Sequence, residues 1–363
     1  MARFEREFLS RDGWNNFART SVRLWPMRSG DFLHGDVETP LREHYLAAGA
    51  LCRLSTNCEQ ILAAARSSFL PVVGQHAEIE LDLRFWVDDA EQAPSIRPQP
   101  YVRGLDHLVF VGIDAASSIL ADLHTRRVIG RFSAALAKDS TYWKTVIFPV
   151  LMSVVAGSLG IVELHASCVA MNHCGLALIG SGRAGKSTLA MAMTELGFRF
   201  VSDDRIFCSL RGQALSAYGL PRPLKLREDA APWFEQFRDR EPLPVQNGER
   251  VFYCEPNRIF GRESSLFCRP HLLIFLERQQ HSGFCLTRME SSEARSRMAV
   301  DLLQEDPPAL DQQRQVLDAL RRLPCWRLQY NGRPQVIAQQ IVRALSDGNE
   351  LNDSLLQCQW ATT

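Results

Sequence analysis

Residues Gly175 to Phe207 read GLALIGSGRAGKSTLAMAMTELGFRFVSDDRIF. Four signatures follow one another in this stretch. The apolar run LALI predicts a buried strand. Gly180-Ser181-Gly182-Arg183-Ala184-Gly185-Lys186-Ser187 then fits GxxxxGK[ST], and the residues from about Lys186 to Leu196 have the spacing of an amphipathic helix. A second short strand, FRFVS, ends on Asp203 and Asp204.

That order gives each position a chemical task. The glycines let backbone N–H groups point into one concavity and approach phosphate oxygens closely. The following helix presents its positive end to the same anion. Lys186 reaches the β and γ phosphates, the Ser187 hydroxyl is a Mg²⁺ ligand, and Thr188 supports the helix start. ATP and Mg²⁺ are therefore the expected ligands. The bare pattern arises by chance in long chains, but here the strand before it and the helix after it supply the context that phosphate binding needs.

Parallel strands on either side of a helix end on one edge of a sheet. This places Asp203 and Asp204 near Ser187 and the γ phosphate. One carboxylate there holds Mg²⁺, and the second accepts the proton of an attacking hydroxyl. His165, in ELHASC on the preceding strand, has two readings: a satisfied core residue, or a contact to the γ phosphate or the acceptor. The spacing leaves both open.

Working outward, the first half reads as mixed α/β. VRLWPM, IELDLRFWV and LDHLVFVGI are expected strands. EHYLAAGALCRL and CEQILAAARSSFL are expected helices, with a strand as the alternative for ALCRLSTN. Residues 90–100 form a proline-rich loop, and a helix is expected from Ser140 to Ser158, broken or kinked at Pro149. In the second half, IVELHASCVAM and GLALIG are consecutive strands turned at Asn172 and His173. RIFCSL and GLPRPLKL are extended, and HLLIFLER, FCLTRM and CWRLQYN are strands. SSEARSRMAVDLLQ, QQRQVLDALRRL and RPQVIAQQIVRAL are helices. The expected organisation is an accessory or substrate-recognition domain of mixed α/β type over 1–140, an ATP-binding catalytic domain over 141–346, and a flexible tail over 347–363.

Composition narrows the function classes. Lys+Arg and Asp+Glu are 41 each in 363 residues, a balance without the electrostatic footprint of a nucleic-acid or anionic-membrane binder. The ten cysteines form no CxxC pair and read as reduced thiols of a cytoplasmic protein. His165, Cys168, His173 and Cys174 lack the loop spacing of a zinc site. The charged stretch MARFEREFLSRDGW is not a signal peptide. The uncharged stretch Val146 to Val162 is short for a membrane span, which takes about 20 apolar residues, and reads as a buried helix running into a buried strand.

The stretch LHASCVAMNHCGLALIGSGRAGKSTLAMAMTELGFRFVSDD resembles the catalytic core of the HPr serine kinase/phosphorylase family. That family shares a nucleotide-binding fold with phosphoenolpyruvate carboxykinase. A His-Ala strand, a loop ending in Lys-Ser, a helix and a hydrophobic-Asp-Asp strand end occur here in the family's order. The resemblance covers about Ile161 to Leu210. It implies an α/β fold with a P-loop-containing, HPr-kinase-like domain, and an ATP-dependent serine kinase. It also implies Asp204 as proton acceptor, Asp203 as support for metal or base, His165 at the active site and a homo-oligomer. The family's glycine-containing signature after the acid pair is absent, and PRPLKLREDA stands in its place, with Glu228 or Asp229 as candidate extra metal ligands. Its arginine loop is absent too, with Arg258, Arg262 and Arg278 as candidate substitutes. The acceptor is accordingly a hydroxyl, serine by resemblance, on a protein, a peptide or an amino acid. The alternative function is an ATP-binding regulatory or scaffold protein whose N-terminal half binds a peptide or protein.

Overall fold

The computed structural model describes residues 37–72, 78–88, 99–220, 222–245, 248–263, 265–298 and 306–347. The expectations for VRLWPM, the tail after Asp347 and most of the proline-rich loop lie outside these residues.

β1 (Leu41–Ala47) and β2 (Ala50–Thr56) form an antiparallel hairpin. The helix expected over EHYLAAGALCRL is therefore corrected to two strands. Ala48 and Gly49 turn the chain at positive φ, 48° and 91°, the twist a two-residue hairpin loop requires. Tyr45, Ala47, Cys52 and Leu54 are buried, and burial on a sheet overrides the helical propensity of an alanine-rich segment. α1 (Glu59–Arg66) follows, then β3 (Leu70–Pro71), β4 (Leu81–Asp88), β5 (Tyr101–Leu105), β6 (Leu108–Gly112), β7 (Ser118–Asp122) and β8 (Arg127–Ser133). Their order is β3-β1-β2-β4-β8-β7-β6-β5. β2, β4 and β8 run parallel, and β8 back to β5 is an antiparallel meander.

Next come α2 (Ala134–Lys138), α3 (Ser140–Tyr142), a π turn (Trp143–Ile147), α4 (Phe148–Val155) and a 3₁₀ turn (Gly157–Leu159). The interruption expected at Pro149 takes the form of the π turn. Proline has no N–H and crowds the carbonyl four residues back. The wider turn relieves that crowding, with the Phe148 N–H reaching Trp143 O. Trp143 is fully buried, its ring 4.6–5.8 Å from those of Phe85, Phe132 and Phe148. This helical run packs into the core of the first sheet, which also takes in Phe207, Tyr218 and Leu220 from later in the chain.

The second half contributes β9 (Val162–Leu164), β10 (Ala166–Met171), β11 (Cys174–Ile179), α5 (Lys186–Glu195), β12 (Arg199–Ser202), β13 (Ile206–Arg211) and β14 (Ala214–Tyr218). β15 (Leu224–Arg227), β16 (Leu243–Pro244) and β17 (Arg250–Cys254) form a small sheet of their own. Then follow α6 (Pro256–Ile259), β18 (Phe267–Arg278), β19 (Gly283–Arg288), α7 (Ser291–Arg297), α8 (Pro307–Arg321), β20 (Cys325–Asn331) and α9 (Pro334–Asp347). The large second sheet runs β12-β10-β11-β18-β14-β13-β9, with β20 against β18 and β19 against β20. Alternate residues sort to its two faces. Leu176, Leu178, Leu272, Ile274 and Leu276 share a core with α5 and α9. Ala177, Leu273 and Phe275 share one with Val316, Leu317 and Leu320 of α8. The chain is thus a mixed α/β fold.

Gly219 lies where the chain leaves β14 and crosses the end of β12. A Cβ there would stand 2.1 Å from Val201 O and 2.8 Å from the Ser202 Cβ. Gly219→Ala must push this link off the strand that carries the acid pair, and we expect a loss of about 1–3 kcal/mol in urea unfolding. An unchanged midpoint would show that the crossing is slack.

Candidate active site

β10 lies between β11 and β12 and is antiparallel to both, so β11 and β12 point the same way with one strand between them. Three chain segments therefore meet at one sheet edge: the loop after β11, the acid pair after β12, and His165 just before β10. The extended stretch 162–171 changes partners at His165. β9 pairs with β13, and β10 with β11 and β12. Freed from either ladder, the His165 side chain stands at the edge, about half exposed at 54%.

The loop is shaped by close contacts. A Cβ on Gly180 would meet the Ala184 Cβ at 2.9 Å and Leu276 O at 3.1 Å. Gly185 has φ +93°, and a Cβ there would stand 2.1 Å from the Tyr330 hydroxyl. That hydroxyl donates to Ala184 O at 2.6 Å, fixing the loop to β20. The Lys186 ammonium donates to Gly180 O at 2.8 Å and Ser181 O at 3.2 Å. The residue as a whole is only 8% exposed. Burial lowers its pKa against the opposing pull of Asp204 and Asp203.

The two acids differ in kind. Asp203 is buried. Its Oδ1 accepts from Ser167 Oγ at 2.5 Å and Ser187 Oγ at 2.8 Å, and its Oδ2 from the Lys225 N–H at 3.3 Å. Burial raises its pKa, against those three bonds. Asp204 is half exposed and sits in the left-handed region at φ 69°. The His165 Nδ1 lies 3.0 Å from its Oδ1 and 2.9 Å from its carbonyl oxygen. A carbonyl can only accept, so Nδ1 carries the proton. The His165 hydrogen bond, then the charges of His165, Arg205 and Arg222, bring the Asp204 pKa down to about 2 against the effect of burial.

These shifts have opposite signs in stability. Asp203 holds its proton more tightly folded than unfolded, so its ionisation weakens the fold as pH rises through its raised pKa. Asp204, at about 2 when folded against about 3.9 unfolded, stabilises fully above the unfolded value, and the gain fades as pH falls towards the folded one. Asp204→Asn should therefore lower the melting temperature at neutral pH, modestly because the pair is solvent-screened. The gap to wild type should narrow between about pH 5 and about pH 3. A constant gap would mean that pairing with His165 contributes nothing.

These residues open onto a cleft of about 1120 Å³. Gly182, Arg183, Gly185, Lys186, Ser187, Thr188, His165, Asp203 and Asp204 line it. Gly180, Ser181 and Ala184 of the same loop do not. Of the candidate arginines, Arg278 lines the cleft, whereas Arg258 and Arg262 do not. Asp229 lines it, held by Arg227 at 3.3 Å, while Glu228 turns to Arg250 at 3.5 Å. Sequence reasoning missed Ser167, Arg222 and Tyr330. Ser167 had a signal: it is the hydroxyl two residues after His165 in an otherwise apolar strand, a position that must find a buried partner.

The donor set fits a metal–nucleotide complex. Lys186 lines the cleft with an ammonium whose hydrogen bonds, among the described residues, go to loop carbonyls. Ser187 and Asp203 offer hard oxygens side by side, as Mg²⁺ takes them when it keeps water and phosphate for its other positions. Among the described residues no cluster of three or more His, Cys, Asp or Glu is placed to hold a metal by itself. His165, Cys168, His173 and Cys174 do not form one: Cys168 is buried with its Sγ 3.6 Å from that of Cys268. Cys52, Cys58, Cys168, Cys208, Cys254, Cys268, Cys285 and Cys325 are free thiols, and Cys174 is disulfide-bonded. The expectation of reduced thiols fails at that position. No helix among the described residues is long and apolar enough to cross a membrane.

No family model and no curated protein matches the chain. Among solved structures, the Hpr(Ser) kinase/phosphatase from Coxiella burnetii is similar at 12% identity and a TM-score of 0.28, over 52% of this chain and 98% of that one. A likeness that weak says nothing about function.

Proposed function

We propose that the chain is an ATP-dependent kinase that transfers the γ-phosphoryl group to an acceptor hydroxyl, serine by family resemblance. The observation that carries the reading is the meeting of Lys186, Ser187, Asp203, Asp204 and His165 on one sheet edge, with Ser187 bonded to Asp203 at 2.8 Å. Bound Mg²⁺ would neutralise phosphate charge. Ser187 and Asp203 would hold it, and the loop N–H groups and Lys186 would hold the phosphates. Asp204 takes the proton as the acceptor oxygen bonds to phosphorus and the bond to the ADP oxygen breaks. The donated Nδ1–H of His165 keeps Asp204 ionised and aimed into the cleft. Catalysis of this kind is positioning plus charge neutralisation.

The test incubates γ-labelled ATP and Mg²⁺ with HPr, free serine and serine peptides, using wild type and Asp204→Asn. Label on one acceptor in wild type alone supports the kinase reading. A second reading, an ATP-regulated scaffold, has one observation behind it. Edge strand β5 is exposed along its length, with Tyr101, Val102 and Leu105 in solvent, and such an edge invites a partner strand. ATP-dependent partner binding with slow hydrolysis and no phosphorylated product would select that reading.

A further inference from the structure

The cleft contains a cation that nucleotide binding leaves unused. Arg222 sits in the link between β14 and β15, after Gly219, which is wedged against Val201, and before Lys225, whose N–H holds Asp203. Its own N–H donates to Leu220 O at 2.7 Å, tightening the link. The side chain is half-buried and lines the cleft, yet its guanidinium makes no hydrogen bond or ion pair among the described residues. Lys225, Arg227 and Lys186 of the cleft are engaged, and the guanidinium of Arg278 is left to solvent. Lys225 and Arg227 lie 3.4 and 2.6 Å from Glu249, and Lys186 is on the loop carbonyls. Arg278 is exposed, on the β18 side, paired in register with Tyr330. Burial works against the Arg222 charge, and the nearby Asp204 and Asp203 favour it. A half-buried guanidinium with no protein partner offers its fork of donors to an anion that enters the cleft.

The nucleotide phosphates already have Lys186, the loop N–H groups and the helix end. Arg222 stands on the link between β14 and β15 and Lys186 at the start of α5, so the two cations enter the cleft from different elements. Thr145 and Val146, on the π turn, also line the cleft. The Thr145 hydroxyl is used on Thr141 O at 2.7 Å, which leaves methyl groups for a carbon skeleton. Proton acceptor, apolar wall and unpaired guanidinium together describe an acceptor pocket.

We propose that Arg222 anchors a carboxylate of the acceptor, which makes the substrate class a hydroxy carboxylate, either a free hydroxy amino acid or the C-terminal residue of a peptide. This rests on the kinase reading of the cleft. A guanidinium matches a carboxylate with two parallel hydrogen bonds, which fixes how the hydroxyl is presented to Asp204.

The test is calorimetric titration of the full chain loaded with Mg·ADP. The probes are O-phospho-L-serine, a pentapeptide ending in O-phosphoserine, and phosphoethanolamine, the same ester without a carboxylate. We expect at least one carboxylate probe to bind about 10- to 100-fold more tightly than phosphoethanolamine. That preference should vanish in both Arg222→Ala and Arg222→Gln while Mg·ADP affinity holds. Comparing the first two probes tells a free acceptor from a peptide end. Equal affinities in wild type, equal loss of all three probes on substitution (the guanidinium then holds phosphate), or no binding of any probe to an Mg·ADP-loaded protein would each overturn the proposal. If Mg·ADP itself does not bind, the kinase reading fails and this proposal falls with it.

Discussion

In Asp204→Asn, phosphoryl transfer falls about 10²- to 10⁴-fold, the range for losing a positioned general base, while nucleotide still binds. The substitution is chosen for the backbone as well as the chemistry. Asp204 stands at φ 69°, and asparagine is among the few residues that tolerate this region. The asparagine Oδ1 still accepts from His165, so the edge keeps its shape and only the proton acceptor is lost. Removing a negative charge beside the phosphates should, if anything, tighten ATP. A base with a pKa of about 2 is weak in the free protein, but phosphates bound beside it push that value up. Single-turnover transfer of labelled phosphate, read beside a nucleotide titration, checks both halves. Transfer within tenfold of wild type would move the base to another group, with His165 the nearest candidate.

Lys186→Ala loses nucleotide affinity by about 100-fold or more, and transfer with it. Each charge-assisted hydrogen bond from the ammonium is worth about 1.5–3 kcal/mol, and the side chain reaches two phosphates. The fold should not suffer. Among the described residues the Lys186 ammonium bonds only loop carbonyls, and alanine is the best helix former at the start of α5. A fluorescent-nucleotide titration with a matched melting curve separates the two effects. Retained tight binding in a folded variant would mean that the loop is not the phosphate cradle.

How legible this site was depends on the distance over which each cue acts. The glycine loop shows in sequence because strand, turn and helix change the hydrophobic period within a few residues, and the acid pair follows at a strand end. The edge they share was also foreseeable, although β10 between β11 and β12 was not. Pairings across sequence distance left weaker marks. Ser167 meets Asp203, 36 residues later, and Tyr330 meets Ala184 across 146. Arg222 is flanked by prolines in PRP; it reads as an extended link until the fold lays that link across the acids. The β1–β2 hairpin misled because alanine favours a helix locally, and only the burial of Tyr45 and Cys52 on a sheet decides otherwise.

Phe207, Tyr218 and Leu220 belong to the core of the first sheet although their strands and link build the second. Arg211 ties the same boundary, 2.7 Å from Glu80 and donating to Gly49 O at 3.0 Å. A fragment starting near β9 would bare two aromatic rings and a leucine, and the link that carries Arg222 would lose its floor. The second half is thus not a cassette that can be lifted out and grafted elsewhere. An exchange of the first half by recombination would replace the π-turn wall of the cleft in the same event, so the shape of the cleft is inherited together with the packing that keeps its floor folded.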